Sequence, residues 1–410
     1  MAKIRPFRAI RPTRDKVHLV AARPYYSYKQ NVLDAKLEDN PFTFLHIINP
    51  EFGSEVKTKA NSNERFALVS EGYRNFMANG ILFQDEIPAL YMYRQSKLGH
   101  AYTGIICGAS VEEYVNDSIK KHEATITSRE QMFTDYLDIV GYNAEPVLLA
   151  HKSSDEIQQL LEKYASTRPE YEFTTTDMIT HELWMLNPDE TKSVQTAFEK
   201  LNELYIADGH HRSASSVRLA QRRKENGSTF ENEQSFLAYI IDESQLQILE
   251  FNRLVRTMNG LSADDILAAI SENFHIEKLD ESQKPDANHQ FCMCLIGDWF
   301  QLTCKTEIID DSHPVRCLDA EILTQFVLSP ILGIHDLKSD QNISFMSGAE
   351  SMEKLESSVL SGKYQIAFVL YPATMEQVKR VADHQLIMPP KSTWVEPKLR
   401  SGLTIYNINE

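Results

Sequence analysis

The stretch LYIADGHHRSASSVRLA, residues 204–220, decides the fold of the region around it. Its four apolar residues, 204–207, are typical of a buried strand, and Gly209 supplies the tight turn that follows. Small or apolar residues then recur at the spacing of one helix face: Ala214, Val217 and Ala220. The stretch therefore predicts a strand, a glycine turn and a helix that begins near His210.

Such a junction directs several backbone amides and the positive end of a helix dipole at one point, which suits an anion. His210, His211 and Arg212 would place up to three positive charges there, where each cation costs roughly 0.3–1 kcal/mol. A bound phosphate would remove this conflict, because Arg212 can hold two of its oxygens in a fork while a histidine donates to it or relays a proton. The alternative is structural: Asp208 caps the helix and the histidines fill space.

The apolar patterns along the chain predict a mixed α/β fold. Strands are expected at residues 17–21, 42–48, 90–93, 102–107, 236–241 and 246–249, and in a hairpin of 292–296 and 300–304 around Gly297-Asp298. Helices are expected at 64–79, from 127 onward, and at 155–164, 190–201, 211–224 and 263–273. Thr127 and Glu130 predict a capping box at the start of their helix.

Two polar stretches, 224–234 and 280–289, interrupt these patterns. They predict a phosphate- and nucleotide-binding half, residues 1–228, and a second α+β half, residues 229–410, whose C-terminal tail returns to the site. At 410 residues the chain is long enough for two or three lobes with cores of their own.

The composition excludes several classes of function. Because 42 Lys and Arg residues stand against 58 Asp and Glu residues, any nucleic-acid affinity should be weak and non-specific. Five cysteines without a CxxC pair indicate neither a disulfide framework nor a zinc site, and strand alternation places Cys292 and Cys294 on one packed face. No apolar run approaches about 18 residues, so we expect a cytoplasmic protein without a membrane partner, as a monomer or homo-oligomer.

Two further motifs are candidates for the site. Residues 388–393, MPPKST, end like a phosphate-binding loop but lack its glycines, so a Walker site is rejected. Lys391 and Ser392 are predicted to hold phosphate from the C-terminal half; the alternative is a proline-stiffened surface tail. Residues 122–125, HEAT, lack the second histidine of a metalloprotease helix, and His122 and Glu123 are candidate substrate contacts.

The chain resembles the domain-of-unknown-function 1015 family over nearly its whole length. The matching segments are residues 4–9, 44–46 with 50–51, 103–105, 122–125, 207–212 and 388–399. The turn at 208–212 also resembles that of free-serine kinases of the ParB/sulfiredoxin superfamily, where the glycine turn and the helix start hold nucleotide phosphates. This resemblance implies a ParB/sulfiredoxin-like N-terminal half with insertions, ATP or ADP as phosphoryl donor, and free L-serine as acceptor. Tyr26 stands where the family commonly has an acid, which puts activity or specificity in question if that acid positions metal or substrate.

Phosphoryl transfer requires positioned phosphates, neutralised charge and an acceptor for the hydroxyl proton. The predicted phosphate-binding residues are Gly209, His210, His211, Arg212, Lys391 and Ser392, and the predicted catalytic residues are Glu51, Asp208 and His211. Glu51 is the first choice for the proton acceptor because the resembling kinases draw a glutamate from this half; Asp208 and Glu123 are the alternatives. A Mg²⁺ ion bridging the phosphates is expected.

Two other classes of function remain as alternatives. One is a ParB-like nucleotide-binding switch protein without kinase activity. The acidic net charge of the chain argues against an association of such a protein with DNA. The other is a sulfiredoxin-like enzyme or a phosphohydrolase. A sulfiredoxin-like enzyme needs a reactive cysteine beside the phosphate turn. None of the five cysteines lies in a matching motif.

Overall fold

The structure is a computed structural model that describes residues 2–410 except the side chain of Tyr26. The expectation that Tyr26 replaces a functional acid therefore lies outside the described residues. The chain forms two compact units. The first contains the chain up to Lys121, Thr125–Leu246 and Pro397–Glu410, and the second contains His122–Ala124 and Gln247–Glu396. The expected division at residue 228 differs from this arrangement, because the strand Ser235–Asp242 is hydrogen-bonded on both sides to strands of the first unit.

The strands, in chain order, are β1 Ile4–Arg5, β2 Ile10–Pro12, β3 Leu82–Gln84, β4 Tyr91–Lys97, β5 His100–Ser110, β6 Ile119–Lys120, β7 Tyr142–Asn143, β8 Val147–His151, β9 Tyr171–Thr174, β10 Thr180–Met185, β11 Leu204–Asp208, β12 Ser235–Asp242, β13 Gln247–Leu249, β14 Phe251–Val255, β15 Phe274–Leu279, β16 Gln290–Leu295, β17 Asp298–Cys304, β18 Ile343–Ser347, β19 Ile366–Leu370, β20 Trp394–Glu396 and β21 Tyr406–Asn407.

The α-helices are α1 Val17–Val20, α2 Gln30–Asp39, α3 Leu45–Ile48, α4 Asn63–Ala78, α5 Val111–Val115, α6 Thr127–Val140, α7 Asp155–Ala165, α8 Pro188–Phe198, α9 His210–Glu225, α10 Ala263–Ser271, α11 Asp319–Leu323, α12 Met352–Leu360 and α13 Met375–Asp383. Short 3₁₀ turns lie at Tyr25–Ser27, Glu231–Gln234, Glu243–Gln245 and Thr306–Ile308, and a π-helical turn lies at Thr324–Leu328. Among the described residues, every helix is too short or too polar to cross a membrane.

The first unit is built on a nine-stranded mixed sheet with the order β6-β11-β8-β12-β5-β4-β10-β9, in which β1 also pairs with β5. The pairs β11·β6 and β12·β8 are parallel, and the other pairs are antiparallel. Apolar residues of α7, α8 and α9 pack on this sheet in one core. A second core joins α2, α3 and α4 to Ile405 of the C-terminal segment.

The second unit contains a six-stranded antiparallel sheet with the order β15-β17-β16-β19-β14-β18. Its strands alternate, so the residues of one face pack with α10 and α11, and those of the other face pack with α12. Cys292 and Cys294 lie together on the α12 face, as strand alternation predicts. The expectation of a mixed α/β fold is confirmed.

Several local predictions are wrong, each for a physical reason. Residues 17–21 and 42–48 contain the helices α1 and α3 instead of strands, since short apolar runs fit either structure and tertiary packing decides between them. The start of α6 has no capping box: its N-cap is Ile126, and Glu130 instead accepts a bond from the Thr125 hydroxyl. The β16–β17 turn centres on Ile296 and Gly297, both with positive φ, because Asp298 already begins β17.

Candidate active site

The predicted strand, turn and helix at residues 204–212 are present in the first unit. Strand β11 lies between β6 and β8, and its register with β8 shifts between Ile206 and Asp208, as at a β-bulge. Gly209 follows with φ 103°, and α9 begins at His210. The positive φ of Gly209 favours glycine, and a Cβ atom there would lie 3.0 Å from Nε of Arg212, so that side chain would have to move slightly.

The positive charge at the start of α9 is balanced by the protein itself. Arg212 donates from Nη2 to Oδ2 of Asp208 at 2.8 Å, and its Nη1 lies 2.7 Å from Oε1 of Glu145 and donates to the carbonyl of Pro146. Burial lowers the pKa of His210 to about 3, so this imidazole is neutral at physiological pH. The turn therefore does not need a bound anion to relieve its charge, contrary to the inference from the sequence.

A second cation reaches Asp208 from the C-terminal segment of the first unit. Nζ of Lys398 lies 3.5 Å from Oδ1 of Asp208, so the two oxygens of this carboxylate face Lys398 and Arg212. Burial raises the pKa of Asp208, but Lys398, Arg212 and His210 together lower it more, and the net result is below the ordinary value. Asp208 is thus held in its ionised form.

Arg400 anchors the same segment. It donates to both oxygens of Asp177 at 2.9 Å and to Nε2 of His181 at 3.2 Å. Since a guanidinium can only donate, Nε2 of His181 must be an acceptor, and its Nδ1 therefore carries the proton that is shared with the Tyr93 hydroxyl at 2.7 Å. Burial and the adjacent Arg400 lower the pKa of His181 to about 3, which keeps this imidazole neutral.

Ser401 connects the C-terminal segment to Glu145, which is paired with Arg212. Its hydroxyl donates to Oε2 of Glu145 at 3.2 Å, and its backbone forms a β-bridge with Ala22. The segment therefore contacts the turn directly through Lys398 and Asp208, and reaches Arg212 indirectly through Ser401 and Glu145.

Glu51, the first candidate for the proton acceptor, lies in a turn after α3 and not at the end of a strand. Its carboxylate is buried and accepts hydrogen bonds from the Thr58 amide and from Arg65. The Thr58 amide first, and then Arg65, lower the pKa of Glu51, so its side chain is ionised and able to accept a proton.

His211 lies in the first turn of α9 in the first unit, and the remaining predicted site residues belong to the second unit. The carbonyl of His122 accepts from the amide of Met388 at 2.8 Å, which joins the segment of His122 and Glu123 to the segment that leads to Lys391. Lys391 is exposed, with φ 59°, and its Nζ lies 5.3 Å from the centre of the Phe251 ring. Ser392 is buried and donates to the carbonyl of Pro389 at 2.7 Å. The binding roles of these residues remain predictions.

The sequence reasoning missed Glu145, Lys398 and Arg400. Glu145 stands two residues before β8, the neighbour of β11, and Lys398 lies inside one of the segments that carry the family resemblance. Neither position has a local pattern that distinguishes it from other surface charges. All five cysteines are buried, and burial raises the pKa of each thiol, which disfavours the reactive thiolate that a sulfiredoxin-like reaction needs.

Solved structures that resemble this chain include a mutant of free serine kinase in complex with AMP, with a TM-score of 0.37 and 12% identity over 73% of this chain and 92% of that chain. A C-terminally truncated SbnI from Staphylococcus aureus has a TM-score of 0.39 and 12% identity over 73% of this chain and 85% of that chain. A conserved hypothetical protein from Pyrococcus furiosus has a TM-score of 0.35 and 12% identity over 73% of this chain and 94% of that chain. Similarity at this level assigns no activity to the chain.

A comparison with curated proteins found no match. Residues 4–321 match the family described as protein of unknown function (DUF1015), which confirms the resemblance inferred from the motifs. The chain therefore belongs to the DUF1015 family.

Proposed function

We propose that this protein is a nucleotide-dependent kinase that phosphorylates a small hydroxyl compound, with free L-serine as the acceptor and O-phosphoserine as the product. The observation that supports the proposal is the junction of β11 and α9, where a glycine turn, a helix start, Arg212 and Lys398 converge around the ionised Asp208. Positioning and neutralising phosphate is the main requirement of phosphoryl transfer, and this junction has the groups for it.

The charges at the junction determine how a nucleotide would bind. Asp208 and Glu145 are balanced by Arg212 and Lys398, and His210 is neutral, so the attraction of this group for phosphate would come from the α9 dipole and its first amides. The nucleotide phosphates would lie at the first amides of α9, beside Gly209, His210 and His211. Arg212 and Lys398 would then donate to both the phosphates and the carboxylates. Lys391 and Ser392 are proposed as further phosphate contacts.

The residues of the turn fit the expected Mg²⁺ ion. Mg²⁺ prefers hard oxygen ligands and commonly binds one or two carboxylates together with phosphate oxygens. Asp208 offers an ionised carboxylate next to the helix start, and its contact with Lys398 is longer than the 2.7–2.9 Å that is common for charge-assisted hydrogen bonds. Asp208 would hold the ion, which would neutralise charge on the phosphates.

The proton of the substrate hydroxyl needs an acceptor, and Glu51 is the residue that we propose for it. Its lowered pKa keeps it ionised at neutral pH. Asp208 also has a lowered pKa and is the first alternative, but in this proposal its carboxylate would hold the Mg²⁺ ion. Glu123 remains the second alternative, and His211 would relay protons at the turn. His122 and Glu123 would contact the acceptor.

A ³¹P NMR screen of the purified full chain tests the proposal. The protein would be incubated with Mg²⁺, ATP or ADP, and pooled amino acids and small alcohols. We expect a phosphomonoester signal that matches O-phosphoserine in the pool that contains L-serine, and a signal that grows about 10²–10³-fold more slowly with the Arg212→Ala variant. Tight nucleotide binding without turnover of serine, threonine or any small alcohol would refute the kinase proposal and favour the nucleotide-binding switch.

A further inference from the structure

Asp319 is a buried carboxylate at the start of α11 in the second unit, and its side chain is 6% exposed. Its two oxygens have different surroundings. Oδ1 accepts from the backbone amide of His289 at 2.9 Å and also lies 3.3 Å from Nδ1 of the same residue. Oδ2 is buried as well, but it accepts no hydrogen bond from any described residue. Half of this carboxylate is therefore shielded from water without a donor from the described chain.

The negative charge of Asp319 is balanced only in part. His289 also faces Asp311, whose Oδ1 lies 3.8 Å from Nε2 of the imidazole, so one histidine stands between two carboxylates. Burial raises the pKa of Asp319, and the adjacent His289 does not fully offset this effect. The ionised form of Asp319 is costly, because one oxygen has lost its hydration without gaining a donor. A positively charged donor at Oδ2 would remove this cost.

Asp319 forms part of the wall of a cavity in the same unit, which we call the Asp319 cavity. Phe251, Leu370, Tyr371 and Met388 also line it. The cavity has about 10 Å³ of room for the centre of a water-sized sphere, which is close to the space that one water molecule needs. An ammonium group has nearly the size of a water molecule, so it fits without movement of the walls. Because the cavity is partly open to solvent, the rest of a ligand can remain outside.

The other walls of the Asp319 cavity also suit a cation. Phe251 and Tyr371 supply aromatic rings, whose faces attract positive charge. The Phe251 ring already has such a contact, because Nζ of Lys391 lies 5.3 Å from its centre. Asn288 is exposed and also lines the cavity, and its side-chain amide has an oxygen that accepts hydrogen bonds. The chemistry of this lining therefore favours a small cation that donates hydrogen bonds.

From the buried carboxylate and the water-sized space beside it, we propose that the second unit binds a small primary amine, with its ammonium group in the Asp319 cavity. The ammonium donates to the carboxylate of Asp319 and to the amide oxygen of Asn288, and it lies against Phe251 and Tyr371. The organic part of the amine extends through the opening of the cavity. A water molecule fits the same space but brings no positive charge. This site is independent of the proposed kinase activity.

The test is the thermal stability of the full chain at neutral pH and constant ionic strength, in the chloride salts of methylammonium, ethylammonium, ethanolammonium, tetramethylammonium or potassium. We expect at least one primary ammonium to raise the Tm of the wild type by about 2–5 °C at ten times its Kd. Tetramethylammonium and potassium have no N–H donors and should have no effect. Asp319→Asn keeps the shape but removes the charge, and it should bind at least about tenfold more weakly. Asp264→Asn is the matched control, because Asp264 is exposed in the same unit.

A wild-type measurement keeps the proposal testable if Asp319→Asn does not fold. In protein labelled with ¹³C-methyl methionine, the signal of Met388 is the one that is absent from Met388→Leu. It should shift on addition of the primary ammonium, whereas the signal of Met352, which packs on the α12 face of the sheet, should not. No shift of Met388 with any primary ammonium, or an equal response of the wild type and Asp319→Asn, would overturn the proposal. An equally large response to potassium or tetramethylammonium would refute the assignment of the ligand as an amine.

Discussion

Replacing Lys398 by methionine tests which lysine of the C-terminal region supplies positive charge for nucleotide binding at the Asp208 turn. Nζ of Lys398 lies 3.5 Å from Oδ1 of Asp208, and the side chains are 22% and 34% exposed. Two unit charges at this distance attract each other by about 1–2 kcal/mol at dielectric constants of roughly 80 to 40. Partial exposure places the pair near the lower value. We therefore expect Lys398→Met to raise the pKa of Asp208 toward its ordinary range and to weaken binding of ATP and ADP about tenfold, since the turn loses one positive charge.

Isothermal titration with ATP and ADP measures the affinity, and a pH titration of ¹³C-labelled aspartate signals follows Asp208. Lys398→Arg keeps the charge and should retain most of the affinity. Lys391→Met is the matched control from the second unit, and we expect it to cause a smaller loss. If Lys391→Met weakens nucleotide binding tenfold while Lys398→Met leaves it unchanged, Lys391 holds the phosphates and our assignment of Lys398 is wrong.

Three further predictions follow from the site and its surroundings. Arg212→Ala should lower turnover with serine by about 10²–10³-fold and nucleotide affinity by less, in steady-state kinetics; a change confined to KM would contradict a role in the chemical step. Glu51→Gln should bind nucleotide normally but lose turnover, and full activity would move the base to another carboxylate. Burial lowers the pKa of His181 and His210 from 6.5 to about 3, so the unfolded state binds protons first as the pH falls. The contribution of the two histidines to the free energy of unfolding should be fully present above pH 6.5. As the pH is lowered further, the free energy of unfolding should fall by about 1.4 kcal/mol per pH unit for each histidine, as measured by urea unfolding at a series of pH values. His181→Gln should remove about half of this slope, and an unchanged slope would contradict the neutral buried state.

Elements with a long, consistent pattern were predictable from the sequence. The helices α4, α7, α9 and α10 lie within two residues of the expected limits, because each is nine or more residues long and has apolar residues at helical spacing. Strand β12 was also expected. Residues 17–21 and 42–48 could not be assigned, since four or five apolar residues fit a strand or a single helical turn equally well. For these segments the decisive information lies in contacts with distant parts of the chain.

The same limit applies to the site. The Asp208 turn was predictable because its strand, glycine and helix are consecutive. Its partners Glu145 and Lys398 lie 63 and 190 positions away from Asp208 (208 minus 145, and 398 minus 208), and only the folded sheet brings them to it. The compact units differ from the expected halves for a related reason, because β12 follows the polar stretch 224–234 but is paired inside the first sheet.

The charge balance at the turn constrains any mechanism that uses it. The sequence alone suggested that His210, His211 and Arg212 need an anion, but the structure supplies Asp208 and Glu145 and keeps His210 neutral. A phosphate must therefore compete with these carboxylates for Arg212. Competition of this kind favours a ligand that brings a divalent cation, because Mg²⁺ on Asp208 would free the donors of Arg212 for phosphate oxygens. Nucleotide affinity should for that reason increase with Mg²⁺, and in Asp208→Asn this dependence should be lost while affinity without Mg²⁺ rises.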